Sequence, residues 1–198
     1  AFILCQAAAA CMQAGDLAQA EPFVARAAEL TDSNSPAGSG ARGFYLHVRA
    51  LLSLSQGRRY DEAEKHFKQS RDTWKTTMSG IDRLTATSRN NQAIVNFLRA
   101  RYPAARELID WSREGRQTPL SSAMALGNLG VLRYVQGDFT GADAQFESAR
   151  IALDDDSLAV PPPIAAINQS QLALLDWARW NYDSGKKRGE AALIQCSE

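Results

Sequence analysis

One pattern of side-chain sizes recurs five times along the 198 residues, and it constrains the fold more than any other feature of the chain. A large residue stands at Leu17, Tyr60, Tyr102, Phe139 and Tyr182, at spacings of 43, 42, 37 and 43. Three positions later comes a tiny one: Ala20, Ala63, Ala105, Ala142 and Gly185. Four further on lie Val24, Phe67, Ile109, Phe146 and Gly189, and three beyond those Ala27, Ser70, Ser112, Ala149 and Ala192. Steps of three, four and three fall on one stripe of an α-helix. Small residues let two helix axes approach, and the bulky ones between them fill the groove. Each stripe is preceded by a second helical run, with its own small residue at Ala8, Ala93, Gly130 and Ala173. Short breaks such as Ala14-Gly15-Asp16 and Gln136-Gly137-Asp138 separate the two runs, and glycine there ends a helix in a tight turn. Each unit is therefore predicted to be a pair of antiparallel helices.

The first helices are expected near 1–14, 41–56, 83–99, 120–136 and 163–180, and the second near 17–30, 60–77, 102–114, 139–153 and 183–196. Thr31–Gly40, rich in Ser, Gly and Pro, and Asp154–Pro163, with three acids and three prolines, read as loops. No stretch alternates as a strand would. Asn128-Leu129-Gly130, Tyr134, Gly137-Asp138-Phe139, Ala142, Phe146 and Ala149 closely resemble a tetratricopeptide repeat, as do residues 15–22 and Tyr60-Asp61-Glu62-Ala63-Glu64. The period near 42, longer than the usual 34, resembles repeats of the kinesin-light-chain type, and Asn90-Asn91 fits the paired asparagine of their first helix. The resemblance implies an all-α fold, a right-handed α-solenoid of about five such helix pairs. Its units would be 1–40, 41–82, 83–119, 120–162 and 163–198 of a single superhelical domain. Ala100-Arg101 departs from the Gly-Asp turn, and Gly185 and Gly189 weaken the last second helix. The apolar, uncapped start at Ala1-Phe2-Ile3-Leu4-Cys5 reads as a piece of a longer chain.

Composition narrows the function classes. Apolar residues at 45% support a packed core, and no run reaches the length of a membrane span. Basic and acidic residues balance at 22 each, which disfavours a nucleic-acid binder. Cys5, Cys11 and Cys196 have no metal-type spacing and an odd count, so a reducing compartment such as the cytoplasm is expected. Asp154-Asp155-Asp156 lacks the alternating ligands of a calcium loop, and Ser184-Gly185-Lys186-Lys187 lacks the leading glycine of a phosphate loop. No catalytic or metal constellation is found, so neither an enzyme nor a cofactor is expected.

The resemblance places a binding groove on the first helices. Mapped by matched columns, it would be lined by His47, Asn90, Asn91, Ile94 and Phe97, by Asn128, Val131 and Tyr134, and by Gln171, Leu174 and Trp177. An amide both donates and accepts, so Asn91, Asn128 and Gln171 could pair with the backbone of an extended peptide. Phe97, Tyr134 and Trp177 would supply apolar pockets beside them. Residues 81–117 carry seven arginines against four acids, and Arg89 and Arg99 reach toward the groove, which favours an acidic segment. The expected function is a scaffold or adaptor that holds a protein or peptide. The alternative is a regulatory segment whose superhelix responds to a peptide or small ligand.

Overall fold

A computed structural model describes residues 1–31, 36–57, 59–77, 82–113, 118–154 and 162–197. Among the described residues there are ten helices and no strand. The large residue of the repeat opens every second helix: α2 (Leu17–Glu29), α4 (Tyr60–Thr77), α6 (Tyr102–Arg113), α8 (Phe139–Leu153) and α10 (Tyr182–Ser197). The first helices are α1 (Phe2–Gln13), α3 (Pro36–Ser55), α5 (Asp82–Leu98), α7 (Pro119–Val135) and α9 (Pro162–Ala178). Helix α3 begins inside the segment expected as a loop. Pro36 holds the backbone angle that a first helical residue needs and donates no hydrogen bond, so it starts the helix rather than preventing it.

Every first helix packs against the second helix that follows it. The tiny column lies at the contact: Ala20, Ala63, Ala105 and Ala142 are fully buried, and Gly185 is buried. The turns share one geometry. Gly15, Gly57 and Gly137 adopt positive φ near +80°, and Ala100 and Trp180 occupy the same place with φ of 56° and 63°. In four hairpins the next N–H reaches back to the helix: Asp16 to Cys11, Arg101 to Asn96, Asp138 to Arg133 and Asn181 to Asp176 carbonyl oxygens, at 2.8–3.0 Å. This closure satisfies carbonyls that a helix end leaves open. Asp16 and Asp138 then cap the following helix by accepting from the Gln19 and Gly141 N–H groups.

The described residues form two compact units, Ala1–Gly115 and Arg116–Glu198. In the first, α3 packs on both α1 and α2, and α5 packs on α4. In the second, α9 packs on both α7 and α8. A charged clasp recurs within each unit. Arg99, just before one left-handed turn, reaches Glu64 at 3.3 Å and Asp61 on the preceding hairpin. Arg179, in the matching place, reaches Asp143 at 2.8 Å and the Phe139 carbonyl at 3.2 Å. Glu64 and Asp143 both stand four residues after the opening aromatic of their helices.

Close approach meets a fully enclosed ring at Gly43, where the buried indole of Trp74 lies against bare backbone and a Cβ would overlap it. Gly43→Ala is expected to cost about 1–3 kcal/mol, read as a lower denaturant midpoint, because a fully enclosed ring has nowhere to retreat. Ala100→Gly is expected to have the opposite sign. Removing the Cβ from a left-handed turn should raise stability by about 0.5–1 kcal/mol, less than the roughly 1–2 kcal/mol of left-handed strain because glycine also loosens the unfolded chain.

Candidate functional site

The expected groove residues of the first unit lie on α3 and α5, and most of their polar atoms are already engaged within the protein. His47 is buried between Phe67 and Trp74, with ring centroids 5.4 and 5.7 Å away. Its Nε2 lies 3.3 Å from Asn91 Nδ2 and its Nδ1 lies 3.2 Å from Ser88 Oγ. Ser88 Oγ is 3.4 Å from Ser70 Oγ, and Ser70 donates to the Gly43 carbonyl at 2.8 Å. The directions agree along the whole relay. The Asn91 amide N–H donates to Nε2, so the neutral imidazole carries its proton on Nδ1 and donates to Ser88, which donates to Ser70. Burial holds the His47 pKa down to about 4, because an imidazolium there would lose its water without gaining an anion. Ser70 and Ser88 were not among the expected site residues. Ser70 occupies a column that holds Ala27, Ala149 and Ala192 elsewhere, but also Ser112, which donates to its own helix at the Ile109 carbonyl, so the sequence carries no sign specific to the relay.

The neighbouring candidates are engaged as well. Asn90 is buried. Arg89 donates to the Trp111 carbonyl at 3.2 Å, with its guanidinium 5.7 Å from the Trp111 ring centroid. Arg99 is occupied by Asp61 and Glu64. The charge expected to attract an acidic segment is thus directed at the protein's own groups. Ile94 and Phe97 are half-buried, and Phe97 packs against Tyr102 with ring centroids 5.9 Å apart.

The second unit repeats part of this arrangement without its polarity. Gln171 stands in the column of Asn91, and Gly127 in the column of His47. The Gln171 amide lies across bare Gly127, where a Cβ would come 3.0 Å from Oε1. The two amides therefore do the same thing: each points to the first helix of the preceding hairpin. Asn128 is half-buried and makes contacts of its own. Val131 and Tyr134 pack partly buried against Ala142, Phe146, Leu172 and Leu175. Leu174 and Trp177 differ from these, at 48% and 50% exposed, although Trp177 rests one edge of its indole on Gly185. Met124 and Val135 on α7 and Ile167 on α9 are also exposed, and Met124 and Ile167 share one column.

Among the described residues no group of three or more His, Cys, Asp or Glu side chains is placed to hold a metal ion, and no helix is long and apolar enough to cross a membrane. Cys5 and Cys11 are free thiols, and Cys5 is buried in the core of the first hairpin. The Cys196 side chain lies outside the described residues, as does most of the expected loop at 154–163.

Paired helices, short turns with a left-handed residue and repeated stacking contacts define a helical-repeat fold. Residues 44–118 match the family model described as tetratricopeptide repeat. The fold is similar to the crystal structure of BtubC (BKLC) from P. vanneervenii, with a TM-score of 0.67 and 18% sequence identity, covering 96% of this chain and 77% of that one. No curated protein matches the chain in sequence. Family and fold point to a repeat scaffold for protein interaction.

The buried relay gives a pH dependence with a definite sign. The unfolded chain binds a proton to His47 below about pH 6.5, whereas the folded chain resists it down to about 4. Stability from this group is fully present above pH 6.5 and is lost as the pH falls toward 4. The loss amounts to about 3 kcal/mol at one histidine. Denaturant unfolding of wild type and His47→Gln at pH 7 and pH 4.5 should show the variant losing less stability over the interval; parallel losses would show that His47 titrates normally.

Proposed function

We propose that the chain binds a partner polypeptide against the exposed faces of its first helices, without catalysing a reaction. The observation that carries this reading is the repetition of large apolar residues at matched exposed positions. Met124 and Ile167 are 40% and 57% exposed and stand in one column of α7 and α9. Val135, Leu174 and Trp177 extend the apolar surface along the same two helices. Large apolar side chains repeated at matched exposed positions mark a contact surface more than they mark a solvated one. Asn128 borders them and supplies polar definition.

The first-helix residues divide into two sets. His47, Asn91 and Gln171 hold neighbouring hairpins in register, and a partner would meet them only at the edges. Ile94, Phe97, Asn128, Val131, Tyr134, Leu174 and Trp177 offer surface. Affinity on this reading comes from burying apolar side chains rather than from a ladder of backbone amides, and the arginines engaged within the first unit do not select an acidic peptide.

Peptides selected from a random 16-residue display library against the wild-type chain provide the test. Met124→Glu/Ile167→Glu should weaken the selected peptides by about tenfold or more, since it replaces two anchor contacts with desolvated charge. Ile151→Glu, on an equally exposed site of the second helix α8, should leave them unchanged. Equal loss in both variants, or in neither, would remove the first-helix surface as the binding site.

A further inference from the structure

Each hairpin turn holds one residue in the left-handed region, and at Gly15, Gly57 and Gly137 that residue is glycine. A Cβ at any of these three would meet nothing within 4 Å, although each of their hairpins has another packed after it. The position therefore stays open whether or not a further hairpin stacks on. In the turn between α9 and α10 it is occupied by Trp180, with φ of 63° and 78% exposure. The left-handed region strains any residue with a Cβ, and an indole this exposed recovers little of that cost through burial. Strain kept without packing in return points to a contact outside the chain.

The Trp180 ring meets that of Tyr182, the first residue of α10, with centroids 5.8 Å apart and planes at 87°. Both rings are exposed, so they form an open right-angled corner, and the indole N–H and phenol O–H supply donors there. The tip of hairpin α7–α8 lies alongside. Arg179, the residue before Trp180, donates to the Phe139 carbonyl at 3.2 Å. Phe139 remains 39% exposed even with α9 packed on its hairpin. The charges around the corner are balanced within the protein: Arg179 by Asp143, Arg188 by Asp176 and Lys186 by Glu190. Asp183 stands in the first turn of α10, where the helix end favours an acid.

We infer that these two tips bind a proline-rich segment of a partner protein, extended as polyproline II from Phe139 to the Trp180–Tyr182 corner. Such a segment has no internal hydrogen bonds, so its carbonyl oxygens are free to accept from the corner's donors. Proline has no N–H and needs no acceptor in return. Its rings pack on exposed aromatic faces. Packed helices lie about 8–10 Å apart, and polyproline II rises about 3.1 Å per residue, so matched points on adjacent hairpins are about three residues apart. Prolines three residues apart would place one ring on Phe139 and the next in the corner. The balanced charges suit an uncharged ligand. Lys187 makes no ion pair among the described residues, and one lysine is far short of the basic cluster that holds an anionic membrane. The surface is separate from that of Met124 and Ile167, which stand near the opposite ends of α7 and α9.

The probe is a fluorescein-labelled 12-residue peptide of four Pro-Pro-Ala triplets, titrated with the whole chain by fluorescence anisotropy. A peptide of six Pro-Ala pairs is equally neutral but has no two prolines three residues apart. The triplet peptide is expected to bind with a Kd of about 100 μM, and about fivefold more tightly than the pair peptide. Trp180→Gly should weaken it about tenfold or more, and Trp180→Phe, which keeps a ring and loses the donor, about threefold. Glycine is the residue that three other turns carry, and circular dichroism checks that the variant folds. Met124→Glu/Ile167→Glu should leave the peptide unaffected, which separates this surface from the first-helix one; loss of binding there overturns the inference. So do equal binding of the two peptides, wild-type affinity in Trp180→Gly, and the absence of saturable binding up to millimolar protein. Co-sedimentation with vesicles of seven parts phosphatidylcholine to three parts phosphatidylserine, abolished by Trp180→Gly, would make the corner a membrane contact instead. Self-association in sedimentation velocity, abolished by the same variant, would make its occupant a second copy; either result overturns the inference.

Discussion

Two helices joined by three or four residues lie close together only when the chain reverses in the left-handed region and the helices meet over side chains small enough to let their axes approach. The rest of this structure depends on those two conditions holding together. The reversal sets the axial offset of the second helix, so that its opening aromatic, its tiny residue and its filler fall at the right heights. The tiny residue then sets how near the axes come. Gly15, Gly57 and Gly137 satisfy the first condition without strain. Ala100 and Trp180 satisfy it against the preference of an L-residue, which indicates how strongly packing on either side fixes the turn.

Stacking adds a second layer of specification. A column that faces the preceding hairpin has to match whatever that hairpin offers. Cys5 and Val48 meet as apolar surfaces, His47 and Asn91 as hydrogen-bond partners, and Gly127 and Gln171 as a bare backbone with an amide laid over it. The three solutions differ in what they tolerate. An apolar contact can slip by a residue with moderate loss, whereas the Asn91–His47–Ser88–Ser70 relay is satisfied in one register and leaves several buried polar atoms unpaired in any other. The unusual polarity at the centre of the first unit is thus consistent with a register lock. Trp74 shows that satisfaction is not complete there, since its buried Nε1 has no hydrogen-bond partner while its ring holds Gly43.

The hairpins were legible in the sequence because their determinants are local and periodic. The four columns needed only helical spacing, and the large opening residues coincide with the first residues of all five second helices. Left-handed turns at Ala100 and Trp180 were not legible, because no side chain there advertises the conformation that tertiary packing imposes. The start of α3 at Pro36 was missed for a related reason: a Ser/Gly/Pro-rich segment reads as loop until its proline is seen at a helix N-terminus. The site was less legible than the fold. Neighbouring residues of a first helix differ by about 100° of rotation, and that single step decides whether an amide points along the helix surface or into the preceding hairpin. Asn91 and Gln171 took the second option, and nothing in their own sequence neighbourhood distinguishes it from the first.

A repeat protein divides its residues between contacts that must recur and surfaces that are free to diverge. The recurring contacts are the turns and the tiny column, and changing one of them disturbs its neighbours in the stack. Divergence is therefore informative where it falls on a column that packing would otherwise hold constant. Glycine at position 189, in a column that holds Val24, Phe67, Ile109 and Phe146 elsewhere, is a change of that kind, on a hairpin where Leu174 and Trp177 keep an apolar character. Here the apolar columns are retained while the filler has changed. That combination alters the shape of the face and preserves its capacity to be buried.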